Sequence, residues 1–167
     1  TMVNGKAVYN ADTNTVYVSD RLYENRGGKF VDVTKKAGLI NHAFGLSVSV
    51  ADINKDGWPD LYVANDFNKP DFLYINNRNG TFTDKLTSYI NHVSFSSMGS
   101  EISDLNNDGF EDFYFGTGEP NYEAIIPNRM FINMNGERLE DVSYVGGFGH
   151  LQKGHGISFA DFDNDGD

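Results

Sequence analysis

Three acidic loops on one pattern constrain this chain more than anything else in it. They read Asp52-Ile53-Asn54-Lys55-Asp56-Gly57-Trp58-Pro59-Asp60, Asp104-Leu105-Asn106-Asn107-Asp108-Gly109-Phe110-Glu111-Asp112, and Asp161-Phe162-Asp163-Asn164-Asp165-Gly166-Asp167. The shared form is D-x-[DN]-x-D-G-x-x-D, and the third copy stops at its seventh residue. Oxygen side chains at positions 1, 3 and 5, followed by a glycine turn, are what a hard divalent cation needs from a short loop, since calcium takes roughly six to eight oxygen ligands. The spacing nominates Asp52, Asn54, Asp56, the Trp58 carbonyl and Asp60 as calcium ligands in the first loop. Asp104, Asn106, Asp108, the Phe110 carbonyl and Asp112 are the second set, and Asp161, Asp163, Asp165 and Asp167 the third. Asp, Asn and Gly also favour plain surface turns, but three copies in register argue against that reading. An EF-hand is excluded on two counts. It needs Glu at position 12 and a helix on each side, whereas position 12 is Val63 or Phe115. The flanks Leu46–Ala51 and Asp60–Ala64 alternate in the manner of strands.

The repeat is longer than the loop. With the three leading aspartates aligned, Leu22-Tyr23-Glu24-Asn25, Leu73-Tyr74-Ile75-Asn76 and Met130-Phe131-Ile132-Asn133 fall together. So do Gly28-Lys29-Phe30-Val31-Asp32, Gly80-Thr81-Phe82-Thr83-Asp84 and Gly136 to Asp141. Each unit then predicts four short strands. The first precedes the loop (46–51, 98–103, 156–160) and the second follows it (60–64, 112–115). The third carries Tyr/Phe-x-Asn, and the fourth carries Phe-x-Asp or its Leu variant after a tight Asn/Gly turn. Four antiparallel strands per unit of this length is the signature of a propeller blade. The fold class expected is therefore all-β, with about three blades, in units of about 1–32, 45–84, 98–141 and the start of another at 156–167. Thr15–Val18 would be a second strand, and Asp12–Asn14 an ordinary turn. Three units cannot close a ring, so the chain is expected to be a piece of a longer protein.

The 167 residues include 13 Phe and 9 Tyr, which suits packed sheets, and carry a formal charge of −11. Nucleic acid is an unfavourable partner for such a chain, because phosphate binding needs clustered Lys and Arg. No apolar run is long enough to span a membrane. Thr1–Lys6 has no signal-peptide character, so any export signal is expected to be removed or upstream. Cysteine is absent, so no disulfide framework exists and thiols say nothing of compartment.

The loops and the phrases Phe30-Val31-Asp32-Val33-Thr34, Ala37-Gly38-Leu39 and Asp60-Leu61-Tyr62-Val63-Ala64-Asn65 resemble the FG-GAP/VCBS repeat family, to which integrin α-subunit propellers belong. Within it they are most similar to the ASPIC/UnbV, cartilage acidic protein-like branch. The resemblance spans about residues 15–167. It implies a seven-bladed propeller, with a calcium loop between the first and second strands of each blade. It also implies a secreted, cell-surface or periplasmic module that binds protein or glycan. Calcium affinities of roughly 10⁻⁴–10⁻³ M in extracellular modules fit such a location.

Strand order places the acidic loops and the third-to-fourth turns on one face. The longer connections at 33–45, 65–72, 85–97, 116–129 and 142–155 lie on the other, where a ligand is expected. His42, His92 and His150 should lie at that end, as a ligand or pH-sensitive surface or as solvated loop residues. Glu101 stands where other units carry Ser49 and Ser158. It would project into the axial channel, to bind a cation or simply to be solvated. Tyr122 and Ile125 in the insert 116–127 could anchor a partner or fold back on the blade. Asn79-Gly80-Thr81 is formally a glycosylation sequon but reads better as a hairpin turn. An enzyme acting on polysaccharide is the alternative. It would have to draw its two carboxylates from Glu101, Glu119 and Glu123, and no nucleophile motif or phosphate loop appears. A purely architectural segment is the third reading.

Overall fold

The computed structural model describes residues 2–3, 6–7, 19–67, 69–93, 96–118, 126–151 and 154–163. The strand at 15–18, the turn at 12–14, the insert residues Glu119, Tyr122, Glu123 and Ile125, and the ligand candidates Asp165 and Asp167 lie outside these residues.

Alternating β-branched and aromatic runs produce two complete four-stranded antiparallel sheets. The first contains β5 (Gly45–Ala51), β6 (Asp60–Asn65), β7 (Phe72–Asn76) and β8 (Phe82–Asp84), paired in that order. The second repeats it with β9 (Ser97–Ser103), β10 (Asp112–Thr117), β11 (Arg129–Met134) and β12 (Arg138–Asp141). Before them, β3 (Tyr23–Arg26) and β4 (Lys29–Asp32) form a hairpin carrying the third- and fourth-strand phrases of another unit. A two-residue pairing of β1 (Met2–Val3) with β2 (Lys6–Ala7) lies nearer the N-terminus. The architecture is all-β, built of propeller-type blades.

The sheets stack face to face. Ile53, Tyr62, Ala64, Leu73, Leu86 and Ile90 of the first pack against Phe113, Phe115, Phe131 and Leu139 of the second. At the centre Tyr62 stacks on Phe115, with ring centroids 4.4 Å apart, and meets Phe113 edge-on at 5.6 Å. Such ring pairs add about 0.5–1.5 kcal/mol to the burial itself. A second cluster lies on the far side of the first sheet, where Ala37 and Leu39 cover Val63 and Tyr74. The innermost strands β5 and β9 meet through hydroxyls. Ser49 Oγ lies 2.8 Å from Ser100 Oγ, and Ser47 Oγ 3.0 Å from the same atom.

Two features depart from the expectations above. The segment 154–163 has no strand; it lies against the second sheet, where the Gly154 amide donates to the Thr117 carbonyl (2.9 Å), and it lacks a full ladder of partners among the described residues. The connections after the fourth strands, for which the sequence predicted no element, contain one-turn helices α1 (Thr34–Ala37) and α2 (Leu86–Tyr89). Their cause is legible in the repeat. The aspartate of each Phe-x-Asp phrase accepts the amide two residues on: Asp32 Oδ1 from Thr34 (2.9 Å), Asp84 Oδ1 from Leu86 (3.0 Å) and Asp141 Oδ1 from Ser143 (2.8 Å). Side chains of this kind nucleate a turn by satisfying its free amides.

Candidate metal centre

Loops 52–60 and 104–112 adopt the same hydrogen-bonded turn. In the first, Asp52 accepts the Asp56 amide at Oδ1 (2.9 Å) and the Gly57 amide at Oδ2 (2.8 Å). Asn54 Oδ1 accepts the same Asp56 amide (3.1 Å), and Asp56 Oδ1 accepts the Trp58 amide (3.0 Å). In the second, Asp104, Asn106 and Asp108 repeat these bonds at 2.8–3.1 Å to the amides of Asp108, Gly109 and Phe110. The sixth residue must be glycine for a backbone reason: φ is +87° at Gly57 and +88° at Gly109, a left-handed conformation that side chains disfavour. Positions 1, 3 and 5 thus bring their oxygens around one turn in both loops.

Position 9 plays a different part. Asp60 and Asp112 are fully buried. Asp60 Oδ2 accepts the Ile53 amide (3.1 Å) and Oδ1 the Asn76 amide (2.7 Å). Asp112 does the same with Leu105 (3.1 Å) and Asn133 (2.9 Å). Each therefore ties the loop to the third strand of its blade. Burial pushes both carboxyls above their ordinary value, against the amides that pull them down. Each oxygen retains a second lone pair for another partner.

The asparagine of the Tyr/Phe-x-Asn phrase completes the brace. Asn76 Oδ1 accepts the Arg78 amide (2.9 Å) while its Nδ2 donates to the Pro59 carbonyl (3.0 Å). Asn133 Oδ1 accepts the Gly136 amide (2.8 Å), and its Nδ2 crosses to the Ile53 carbonyl of the preceding blade (3.0 Å). The hairpin turn of the second blade thus abuts the first acidic loop. A Cβ on Gly136 would lie 2.9 Å from the Asn54 backbone. Sequence reading found the repeated asparagine but not this crossing, because the partner lies 80 residues away.

Charge separates the two loops. Arg78 donates from Nε and Nη2 to Asp56 Oδ2, both at 3.1 Å, and Lys55 Nζ lies 3.5 Å from Glu111 Oε1. Burial pushes the Asp56 carboxyl up, but Arg78, the Trp58 amide and Asn54 together hold it below its ordinary value. Among the described residues no Lys or Arg pairs with Asp104, Asp108 or Asp112. Nor, among them, do three His, Cys, Asp or Glu side chains converge on one point; the donors around each turn are two carboxylates and one amide oxygen. That all-oxygen set suits a hard cation in type, and Arg78 places a positive group on it. In the third copy Asp161 and Asp163 are exposed.

The other singled-out residues disperse. His42 and His150 are exposed, and His92 Nε2 lies 2.6 Å from Asp141 Oδ2. Arg129 Nη1 shares that oxygen at 2.9 Å, so His92 is held in a contact with Asp141 of the second sheet. Glu101 pairs in register with Tyr114 and is partly exposed. It shares a face with Gly99, which abuts His155, so it lies on the side of β9 turned toward segment 154–163. Asn79 caps its own hairpin, with Oδ1 accepting the Thr81 amide (3.0 Å) and hydroxyl (2.7 Å).

Repeated four-stranded sheets, each with a braced acidic loop between its first two strands, define a class, and known proteins share it. The FG-GAP-like repeat model matches residues 8–63, 52–115 and 104–167. The chain belongs to the FG-GAP-like repeat family. Cartilage acidic protein 1 of Mus musculus is 30% identical over 138 residues, covering 80% of this chain and 20% of that protein. The Homo sapiens protein of that name gives the same identity and coverage. Integrin alpha-3 of Cricetulus griseus is 27% identical over 134 residues, 67% of this chain and 13% of its own length. The chain therefore spans about a fifth or less of the relatives it matches. Among the described residues no helix is long and apolar enough to cross a membrane.

Proposed function

We propose that this chain is part of a calcium-stabilised β-propeller that works outside the cell as an adhesion-type binding module. In this reading its units are about 1–32, 45–84, 98–141 and 156–167. The observation that carries the proposal is the identical turn in two independent loops, each drawing three side-chain oxygens of positions 1, 3 and 5 together. Asp52, Asn54, Asp56, the Trp58 carbonyl and Asp60 would hold one calcium ion. Asp104, Asn106, Asp108, the Phe110 carbonyl and Asp112 would hold another, and Asp161, Asp163, Asp165 and Asp167 would begin a third. The ion would supply positive charge to clustered carboxylates and cross-link the loop to the strand ends that Asp60 and Asp112 already join.

The likeness to cartilage acidic protein 1 and to integrin alpha-3 supports a secreted, cell-surface or periplasmic location and a protein or glycan ligand. The connections opposite the acidic loops would present that ligand's site. A cation that binds only the folded state stabilises by mass action, about 1.4 kcal/mol per site at ten times the Kd. Melting should therefore shift upward with calcium and downward with chelator. Asp52→Ala and Asp104→Ala should each remove part of the shift. A melting curve indifferent to both calcium and chelator sinks the proposal.

A further inference from the structure

The two described loops are alike in backbone and unlike in charge. Asp56 Oδ2 accepts two hydrogen bonds from the Arg78 guanidinium, Nε and Nη2 both at 3.1 Å. Asp108, its counterpart, receives on Oδ2 only the Asn106 side-chain amide (2.9 Å) among the described residues. Arg78 is held in place for this. It stands in the β7–β8 turn with φ +62°, and its amide is fixed by Asn76 Oδ1. The corresponding turn of the next blade carries Asn135, with φ +57°. The same backbone position thus carries a cation in one turn and a neutral amide side chain in the other.

We propose that Arg78 is a resident counter-cation that lowers the calcium affinity of loop 52–60 and leaves loop 104–112 untouched. The inference rests on the calcium reading above. An incoming ion that uses Asp56 must either displace the guanidinium or sit beside it. Displacement costs two charge-assisted hydrogen bonds, and proximity costs repulsion between like charges. Arg78 is largely exposed, with its side chain at 59%, so it can swing into solvent without breaking the fold. The first loop is thereby set to fill at a higher calcium concentration than its own oxygens would require.

The chain offers a site-selective readout, because its single tryptophan, Trp58, lies at position 7 of this loop. Terbium, a calcium-sized probe, excited through Trp58 reports loop 52–60, and calcium competition gives its affinity. The calcium heat that Asp52→Ala retains and Asp52→Ala/Asp104→Ala loses reports loop 104–112. In Arg78→Gln the Trp58-sensitised midpoint should fall about five- to ten-fold, the scale of one partly screened charge, with loop 104–112 unchanged. Arg78→Lys should keep the midpoint near that of the unmodified chain. An unchanged midpoint in Arg78→Gln overturns the inference and leaves the calcium reading standing, as does an equal shift at both loops. Terbium that gives no Trp58-sensitised signal, with no calcium heat from either loop, overturns both.

Discussion

Asp71 shows how one buried charge can be judged against the chain's own repeat. It is 1% exposed, and it accepts the Tyr62 hydroxyl (2.6 Å), the Ser97 hydroxyl (2.8 Å) and the Asn65 amide (2.8 Å). The equivalent position in the next blade is Asn128, whose Oδ1 accepts the Thr117 amide (3.0 Å) and whose Nδ2 donates to Tyr114 (3.2 Å). An amide therefore serves the same pocket, and a carboxylate there bears a desolvation cost. Burial pushes the Asp71 carboxyl up to about 6, against the three donors that pull it down. The sign follows from linkage. A carboxyl whose folded value is raised binds protons more tightly in the native state, so stability falls as pH rises from about 4 to about 6 and is flat above. Asp71→Asn should remove that slope. Urea melts across pH 4–8 should show the variant gaining on the unmodified protein up to about pH 6, by on the order of 2 kcal/mol at neutrality. A difference that does not vary with pH would show the pocket to be indifferent to the charge.

Elements in this fold are held by backbone contacts that side chains would block. A Cβ on Gly116 would lie 2.2 Å from the Gly154 carbonyl oxygen, and one on Gly99 2.5 Å from that of His155. Neither glycine has positive φ, so the requirement is close approach of segment 154–156, not conformation. Gly116→Ala should release that segment, seen as faster amide exchange at Gly154, and cost about 1–3 kcal/mol through overpacking. Gly57→Ala meets no atom within 4 Å and should cost only the left-handed penalty of about 1–2 kcal/mol, with no change at Gly154. The loop brace can be tested the same way. Asp60→Ala strands the buried amides of Ile53 and Asn76, each worth about 1–3 kcal/mol when unsatisfied. Denaturant melts should show a loss of several kcal/mol, far beyond that of an exposed loop aspartate.

At the scale of the molecule, stability depends on blades pressing against each other. Phe115 is 1% exposed and touches Tyr62, Phe113 and Phe131. Phe115→Ala should cost about 3–5 kcal/mol and loosen both sheets together, because the cavity opens between them. Amide exchange confined to β9–β12 would instead show that the blades unfold separately. The edges carry the complementary message: Leu46, Val48 and Val50 on β5 are 51–62% exposed on the side turned away from the second blade. Alternation along β5 explains this, since Ser47, Ser49 and Ala51 take the opposite face toward Ser100 and the shared core.

Local chemistry alone determined a good deal here. The period-2 runs specified β5, β6, β9 and β10 within about two residues, the recurring Tyr/Phe-x-Asn and Phe-x-Asp phrases marked β7, β8, β11 and β12, and the Asp/Asn/Gly spacing specified the loops, because all depend on neighbours a few positions apart. The Phe-x-Asp phrase also held the signal for α1 and α2, in an aspartate two residues before a free amide. What tertiary structure decided depends on partners far along the chain. Asp60 became a brace rather than only a loop oxygen because Asn76 arrives from the third strand. Glu101 lies on the face turned toward the 154–156 segment because β9 packs beside it. Arg78 reached Asp56 because a hairpin turn folds back over the loop. None of these distances is encoded in spacing; each exists only once the sheet has paired and the blades have stacked.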